Sequence, residues 1–388
     1  MELTLEQLNA RVQLERRRLQ DTFGGTQGWV LERHLGNGGF GITALLKDSD
    51  PLKRRREPDP FRIPIARRVV LKWALFPEQG IFDFITEINA LKFLRGKAHH
   101  AQFIAATTEV SSHRPVNVLS VRNVFRRFIA PFKNPPTEIF NILRRHRGPA
   151  ILLEYIAGGT LSQLSRKAQE RGVQLPNRIL WSFYLCLVRA CLGLSYPHVI
   201  PEPGQPQVLE TITAREPNGF AHNDISLRNI MLDHYDFNVG EHGHGTIPRL
   251  KFIDYGASRN IGDHNAAARS NFFSIAIVML RLINPRLRPV NDDNTMLYNG
   301  IMTYATDILP NPGADAFAYL DPELRQLLAE ATAVDENLRP SMADIFNRAQ
   351  RGAQKIPMAY GNLLPVDYFN QDEDNNIRRL FQHTMYDA

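Results

Sequence analysis

The chain has 388 residues, 43% of them apolar and 22% charged, and its 46 basic and 40 acidic side chains leave a formal net charge of +6. These are the proportions of an ordinary soluble globular protein, and the two cysteines, Cys186 and Cys191, close together in an apolar stretch, exclude a disulfide framework and favour buried thiols in a reducing compartment. A single core stops growing at roughly 250–300 residues, so two lobes, or one domain with additions, is the expectation.

The N-terminal stretch MELTLEQLNARVQLERRRLQ alternates charge with Leu and Val at helical spacing and lacks the uninterrupted apolar core of a secretory signal. It predicts an exposed amphipathic helix. From Trp29 to about Leu75, short apolar runs separated by glycines and a polar stretch predict consecutive strands. Phe82 to Leu94 reads as a helix, and Ala150 to Ile156 as a short buried strand. After Gly158-Gly159 the pattern turns helical: Leu175 to Leu194 is apolar on nearly every side and predicts a buried helix ended by Pro197. Two short strands, Asn229 to Asp233 and Arg249 to Asp254, precede helices over Asn271 to Ile283 and Pro322 to Ala333. The longest apolar run, Phe272 to Leu280, is about half of the ~20 residues a membrane span requires, so no membrane partner is expected. Inserts rich in Pro, Gly or charge fall at Lys47 to Ala66, Val121 to Gly148, Pro197 to Gly219 and Asp233 to Pro248. The fold class read from this order is α+β, a small β-rich part followed by a larger, mainly helical one, with no internal repeat.

Several short patterns carry chemistry. Gly36-Asn37-Gly38-Gly39-Phe40-Gly41 fits G-x-G-x-x-G between two predicted strands. Glycine there lets the backbone turn tightly and bring N–H groups against phosphate oxygens. The following ITALLK continues as a strand rather than opening a helix, which disfavours a dinucleotide-binding fold and leaves a ligand-free glycine hairpin as the alternative. Lys72, in an apolar strand, needs an anionic partner or an exit to solvent; Glu87, on the next helix, could supply the partner or face water. In His222 to Asp233 (HNDISLRNIMLD), Asp224 offers a carboxylate to accept a hydroxyl proton and Asn229 an amide oxygen that ligates Mg²⁺ without another full charge. Asp254-Tyr255-Gly256 closes a strand.

Taken together and in this order, these segments resemble the protein kinase family over about Trp29 to Arg348: glycine loop, strand lysine, helix glutamate, H-x-D-x-x-x-x-N, and D-Y-G where D-F-G is usual. The resemblance implies a bilobal protein-kinase-like fold. Residues 1–27 would be an N-terminal amphipathic helical extension, 28–156 an N-lobe with loop insertions, 157–350 a C-lobe and 351–388 a C-terminal tail. It implies ATP and Mg²⁺ as cofactors. Gly36, Asn37, Gly38, Gly39, Phe40 and Gly41 would cover the phosphates, Lys72 would hold them and Glu87 would orient Lys72. The backbone of Glu154 and Ile156, in the hinge-like Leu153-Glu154-Tyr155-Ile156, would take the adenine edge. Asp224 would orient or deprotonate a hydroxyl acceptor, and Asn229 and Asp254 would hold the metal. Protein Ser/Thr is the leading acceptor; a pseudokinase acting as a nucleotide-binding scaffold and a small-molecule kinase are the alternatives.

The sequence departs from the family pattern at several places. Asn223 replaces the arginine before the catalytic aspartate, so activity is not expected to need phosphorylation of the hydroxyls that follow, Ser258 and Ser270. No A-P-E lies between Asp254 and Asn271, Asn271 stands where an aspartate usually anchors the catalytic loop, and Arg339 in DENLRP thereby lacks its glutamate partner. Ser226 replaces a lysine; Arg228 matches a position used by some tyrosine kinases and could steady the transferred phosphate, the alternative being a surface arginine. His234, His242 and His244 lack the further ligands a zinc site needs. The run Lys53 to Arg56 reads as a basic solvated loop, so nucleic acid is disfavoured as a partner although the sequence pI is 9.3. Leu3 to Leu19 and Asn375 to Phe381, like the inserts, could bind a partner protein or pack back on the body. The implied localisation is intracellular, cytoplasmic or nuclear.

Overall fold

A computed structural model of the chain describes residues 4–25, 28–38, 41–49, 68–75, 77–107, 142–143, 149–196, 207–233, 246–288, 290–291, 293–311, 313, 315–360 and 370–386. Gly39, Phe40, Lys53 to Arg56, Pro197, the three histidines His234, His242 and His244, and most of the predicted inserts lie outside the described residues.

The first part of the chain forms α1 (Leu5–Phe23), β1 (Trp29–Gly38), β2 (Gly41–Asp48), β3 (Arg68–Trp73), α2 (Pro77–Phe93), β4 (Phe103–Thr107) and β5 (Ala150–Glu154). The rest forms α3 (Leu161–Glu170), α4 (Asn177–Ser195), β6 (Phe220–Ala221), β7 (Ile230–Leu232), β8 (Leu250–Phe252), β9 (Arg259–Asn260), α5 (His264–Ile283), β10 (Met296–Tyr298), β11 (Ile301–Thr303), α6 (Pro322–Ala331), α7 (Met342–Ala353) and α8 (Asp374–Phe381). This is an α+β architecture. Five strands pair antiparallel in the order β1-β2-β3-β5-β4, and β6 with β9, β7 with β8 and β10 with β11 form two-stranded ribbons.

Alternation along the strands decides what the sheet presents on each face. Val69, Leu71 and Trp73 of β3 join Ile42, Ala44 and Leu46 of β2, Ala150 and Leu152 of β5, and Val12, Leu19 and Phe23 of α1 in one buried cluster. The N-terminal helix expected to be exposed is therefore a cover for the sheet, started by a capping box between Thr4 and Gln7. Val70 and Lys72, one register apart from that set, line a cavity on the opposite face. There α2 contributes Phe84, Ile88 and Leu91 to a second core that runs on through α4, α5, α6 and α7. α4 is its hub, with Ile179, Trp181, Phe183, Leu187 and Leu194 among its buried residues.

Two helices, α4 and α5, are long and apolar enough by length and composition to cross a membrane, more than the single run Phe272 to Leu280 suggested. Yet 83% and 56% of those windows are buried inside the protein, so the core already takes up most of that surface. α5 also begins earlier than its apolar residues predict. Asp263 accepts from the backbone N–H groups of Asn265 and Ala266 and so caps the helix at His264. Both cysteines are buried and unbridged. The C-terminal segment packs inward: Ile377 and Phe381 of α8 are buried, and Asp372 accepts from the Arg178 backbone N–H at 2.7 Å.

Candidate functional site

A cavity of about 570 Å³ opens against the β1–β2 hairpin, β3, the β5–α3 link and the turn before β7. Gly36 and Gly41 line it, and in the hairpin register Gly36 faces Thr43 and Gly38 faces Gly41. Gly41 is fixed by packing: a Cβ there would lie 2.3 Å from the Trp73 carbonyl oxygen. Only glycine lets β2 run this close to β3.

Lys72 stands at the centre. Its Nζ is 2.7 Å from Glu87 Oε2 and 2.8 Å from Asp254 Oδ1, and lysine and glutamate are both buried. α2 supplies Glu87 because its apolar face, through Phe84, Ile88 and Leu91, turns this position toward β3. Burial works against the ammonium, but the two carboxylates outweigh it and raise the Lys72 pKa. Burial likewise pushes Glu87 up. Asp254 is desolvated too, yet Lys72 and the Gly256 N–H hold its carboxyl below the usual range. An ammonium clamped by two acids thus faces an open cavity.

The turn from His222 to Asn229 completes one wall. Asn229 Nδ2 donates to the Asp224 carbonyl (2.9 Å) and to Asp224 Oδ2 (2.8 Å), while Arg228 reaches Asp224 Oδ1 at 2.8 Å. The Asp224 carboxylate is thus oriented from two sides, and Arg228 is mostly exposed but tied to it rather than loose on the surface. Asn271 anchors this turn in place of the expected aspartate: its Oδ1 accepts from the His222 N–H (3.0 Å) and its Nδ2 donates to the Phe220 carbonyl (2.9 Å). Asn223 adopts φ +62°, a left-handed conformation that asparagine tolerates better than most residues, and its amide donates to the Ala257 carbonyl at 3.1 Å. Ser258 is fully buried, with its hydroxyl on the Tyr255 carbonyl.

Glu154 and Ile156 also line the cavity. The Glu154 carboxylate itself is occupied by Lys251 Nζ (2.9 and 3.0 Å) and the Gln102 N–H (2.8 Å), and its backbone N–H donates to the Gln102 carbonyl (3.1 Å). Arg339, expected to have lost its partner, donates to the Ala333 carbonyl (2.9 Å), lies 3.4 Å from Glu336 and sits over the Phe273 ring. The structure thus brings Gly36, Gly41, Lys72, Glu87, Glu154, Ile156, Arg228, Asn229 and Asp254 to one cavity, with Asp224 hydrogen-bonded to its wall. Asn37 and Gly38 continue the β1–β2 hairpin.

Sequence reasoning missed the groups beneath this site. His100, His99 and Glu210 are buried, and His100 Nδ1 lies 2.7 Å from the Tyr255 hydroxyl. The adjacent histidines after α2 were the only local signal; Glu210, more than a hundred positions away, gave none. No protein-family model matches the chain, and no curated protein matches it.

Proposed function

We propose that the chain is an ATP-dependent phosphotransferase of bilobal protein-kinase-like fold, passing the γ-phosphoryl group to a hydroxyl, with protein Ser/Thr as the leading acceptor. One observation carries the reading. Lys72 is held between Glu87 and Asp254 at the wall of the cavity that also receives the glycine hairpin and Asn229. That combination suits a nucleotide: an oriented ammonium for the phosphates, glycine backbone above them, and the strand-end backbone at Glu154 and Ile156 for the base edge. Asp224, fixed by Asn229 and Arg228, is placed to accept the proton of an attacking hydroxyl, and Arg228 adds positive charge where the transferred group would pass.

Asp254 and Asn229 fit a metal that arrives with the nucleotide. Among the described residues no group of three or more His, Cys, Asp or Glu could hold a metal alone. Mg²⁺ is typically bound through one or two carboxylates together with substrate phosphates, and the Asn229 amide oxygen faces away from the two Asp224 oxygens that its nitrogen bonds. Bound there, Mg²⁺ would neutralise charge on the phosphates.

A small-molecule acceptor is the second reading. Asp263 caps α5 only nine positions after Asp254, leaving a short segment on which to dock a peptide. Labelled ATP and Mg²⁺, with and without generic protein substrates, test both readings beside an Asp224→Ala control. Transfer is expected, and removing the base should slow it roughly 10²–10⁴-fold. Absence of both transfer and nucleotide-dependent thermal stabilisation would end the enzyme reading. Stabilisation without transfer would favour a nucleotide-binding scaffold, and transfer unaffected by Asp224→Ala would overturn the assignment of the base.

A further inference from the structure

The tyrosine in Asp254-Tyr255-Gly256 puts a hydroxyl in a completely buried position. A buried phenol needs partners, and this one has two. It donates to the Phe252 carbonyl at 3.1 Å and shares a 2.7 Å hydrogen bond with His100 Nδ1. His100 has little room to move. Its ring packs on α4 at Gly193, where a Cβ would lie 2.4 Å from His100 Nε2 and 3.1 Å from Glu210 Cγ. Glu210 in turn accepts from the His99 backbone N–H at 2.8 Å and lies 2.6 Å from His99 Nδ1. The backbone is bolted at the same place: Phe252 N–H donates to the His99 carbonyl (2.9 Å) and Ala101 N–H to the Phe252 carbonyl (3.0 Å).

Asp254, one residue before the tyrosine, adopts φ +60°. Aspartate tolerates that conformation better than most residues but still at a cost, so the surroundings that hold it there matter. On the N-terminal side the β7–β8 pairing and the Ile253 N–H bond to the Asn229 carbonyl (3.0 Å) fix the chain. On the C-terminal side the Asn223 amide holds the Ala257 carbonyl and Ser258 holds the Tyr255 carbonyl, and the side chain that anchors the segment inward is Tyr255. Its ring lies against His222, with centroids 5.0 Å apart. Ring packing is non-directional, whereas a hydrogen bond to an immobile partner sets depth and rotation.

We propose that Tyr255 is a positioning residue: its hydroxyl, tethered to His100, holds Asp254 toward Lys72, so that the metal-holding aspartate is kept in place without a phosphorylated loop. The consequence for activity rests on the phosphotransfer reading; the tether itself does not. The tether links the loop after α2, helix α4 and the segment around Glu210 to the aspartate in contact with Lys72.

Tyr255→Phe in the full-length chain keeps the ring and removes the tether. Because it leaves the His100 nitrogen without its partner, the double variant Tyr255→Phe/His100→Leu, which removes both polar groups, is compared with it. Amide hydrogen exchange across residues 253–258 is expected to quicken about tenfold in both variants while exchange in α4 stays unchanged. In transfer assays the Mg²⁺ concentration for half-maximal rate should rise roughly five- to tenfold, with kcat at saturating Mg²⁺ reduced less than about threefold. Folded variants with wild-type exchange at 253–258, or with loosening spread equally through α4, overturn the tether. Faster local exchange with unchanged Mg²⁺ dependence overturns the positioning role. A wild type that transfers nothing removes the phosphotransfer reading instead, and the exchange comparison still decides the tether.

Discussion

Lys72 and Glu87 constrain each other at the scale of single residues. Both are buried, and the lysine also answers Asp254, so each charge is tolerated only because the others are present. Lys72→Met should destabilise the protein at neutral pH by about 3 kcal/mol, the cost of leaving a buried carboxylate without its partner. The loss is pH-dependent. Burial already raises the Glu87 pKa, and removing the ammonium raises it further, so the carboxyl is best tolerated protonated. A group whose folded pKa lies above its unfolded value contributes stability that is lost as pH rises through the folded value. Urea unfolding of Lys72→Met should therefore approach wild type as pH is lowered, and Lys72→Met/Glu87→Gln should recover part of the loss at neutral pH; a penalty independent of pH would contradict this account. Asn223 offers a second test. At φ +62° an alanine is strained by about 1 kcal/mol and a glycine is not, so Asn223→Ala should unfold at lower denaturant than Asn223→Gly. Equal midpoints would mean that the amide bond to Ala257, not the backbone conformation, selects asparagine.

At the scale of elements, the packing of α7 on α4 turns on Gly352. An alanine in a helix interior usually gains about 1 kcal/mol over glycine, but a Cβ at 352 would sit 2.2 Å from the Trp181 ring. That ring cannot easily yield, because Trp181 Nε1 donates to Asp321 Oδ2 at 2.8 Å and Lys355 Nζ lies over its face. Overpacking of this kind costs about 1–3 kcal/mol, so Gly352→Ala should lower the melting temperature; a rise would mean that the helices separate without cost. The same elements show what the sequence made legible. β1, β2, β3, β5 and α4 were readable because each combines a clear apolar run with glycine or charge at its ends, and Lys72 was conspicuous for being charged inside such a run. The short β9, β10 and β11 carry no periodicity, and β4 merges with its surroundings. The start of α5 was misplaced because a cap at Asp263 and a polar first turn, not apolar spacing, begin the helix. At the site, charged and glycine residues announced themselves, whereas the support from His100 and Glu210 depends on contacts between distant segments that only folding creates.

On the scale of the whole molecule, α1 and the segment around α8 are both structural. α1 closes one face of the sheet, and the segment from Asp372 to Phe381 closes the start of α4, far along the chain from the cavity. The C-terminal closure responds to pH in the opposite direction from the network under the site. Burial works against the Glu210 carboxylate, but His99 outweighs it and holds the pKa down to about 2 from 4.5, so this contribution is present above the ordinary value and is lost as pH falls toward 2. Asp372 is the reverse: burial raises its carboxyl from 3.8 to about 6 despite the Arg178 N–H, so its contribution is complete below the ordinary value and is lost as pH rises through about 6. The shift corresponds to something on the order of 2–3 kcal/mol withheld from the folded state at pH 8. Asn in place of Asp372 keeps an oxygen for the Arg178 N–H and removes the buried charge. Asp372→Asn is therefore expected to match wild type near pH 4 and to exceed it by up to about 2–3 kcal/mol at pH 8 in urea unfolding, flattening the decline between the two. A variant equally destabilised at both pH values would show that the carboxylate is held by its contacts rather than merely tolerated. In that case the C-terminal segment closes α4 through the ionised Asp372 pairing with Arg178, and stability should instead fall as the carboxyl is protonated.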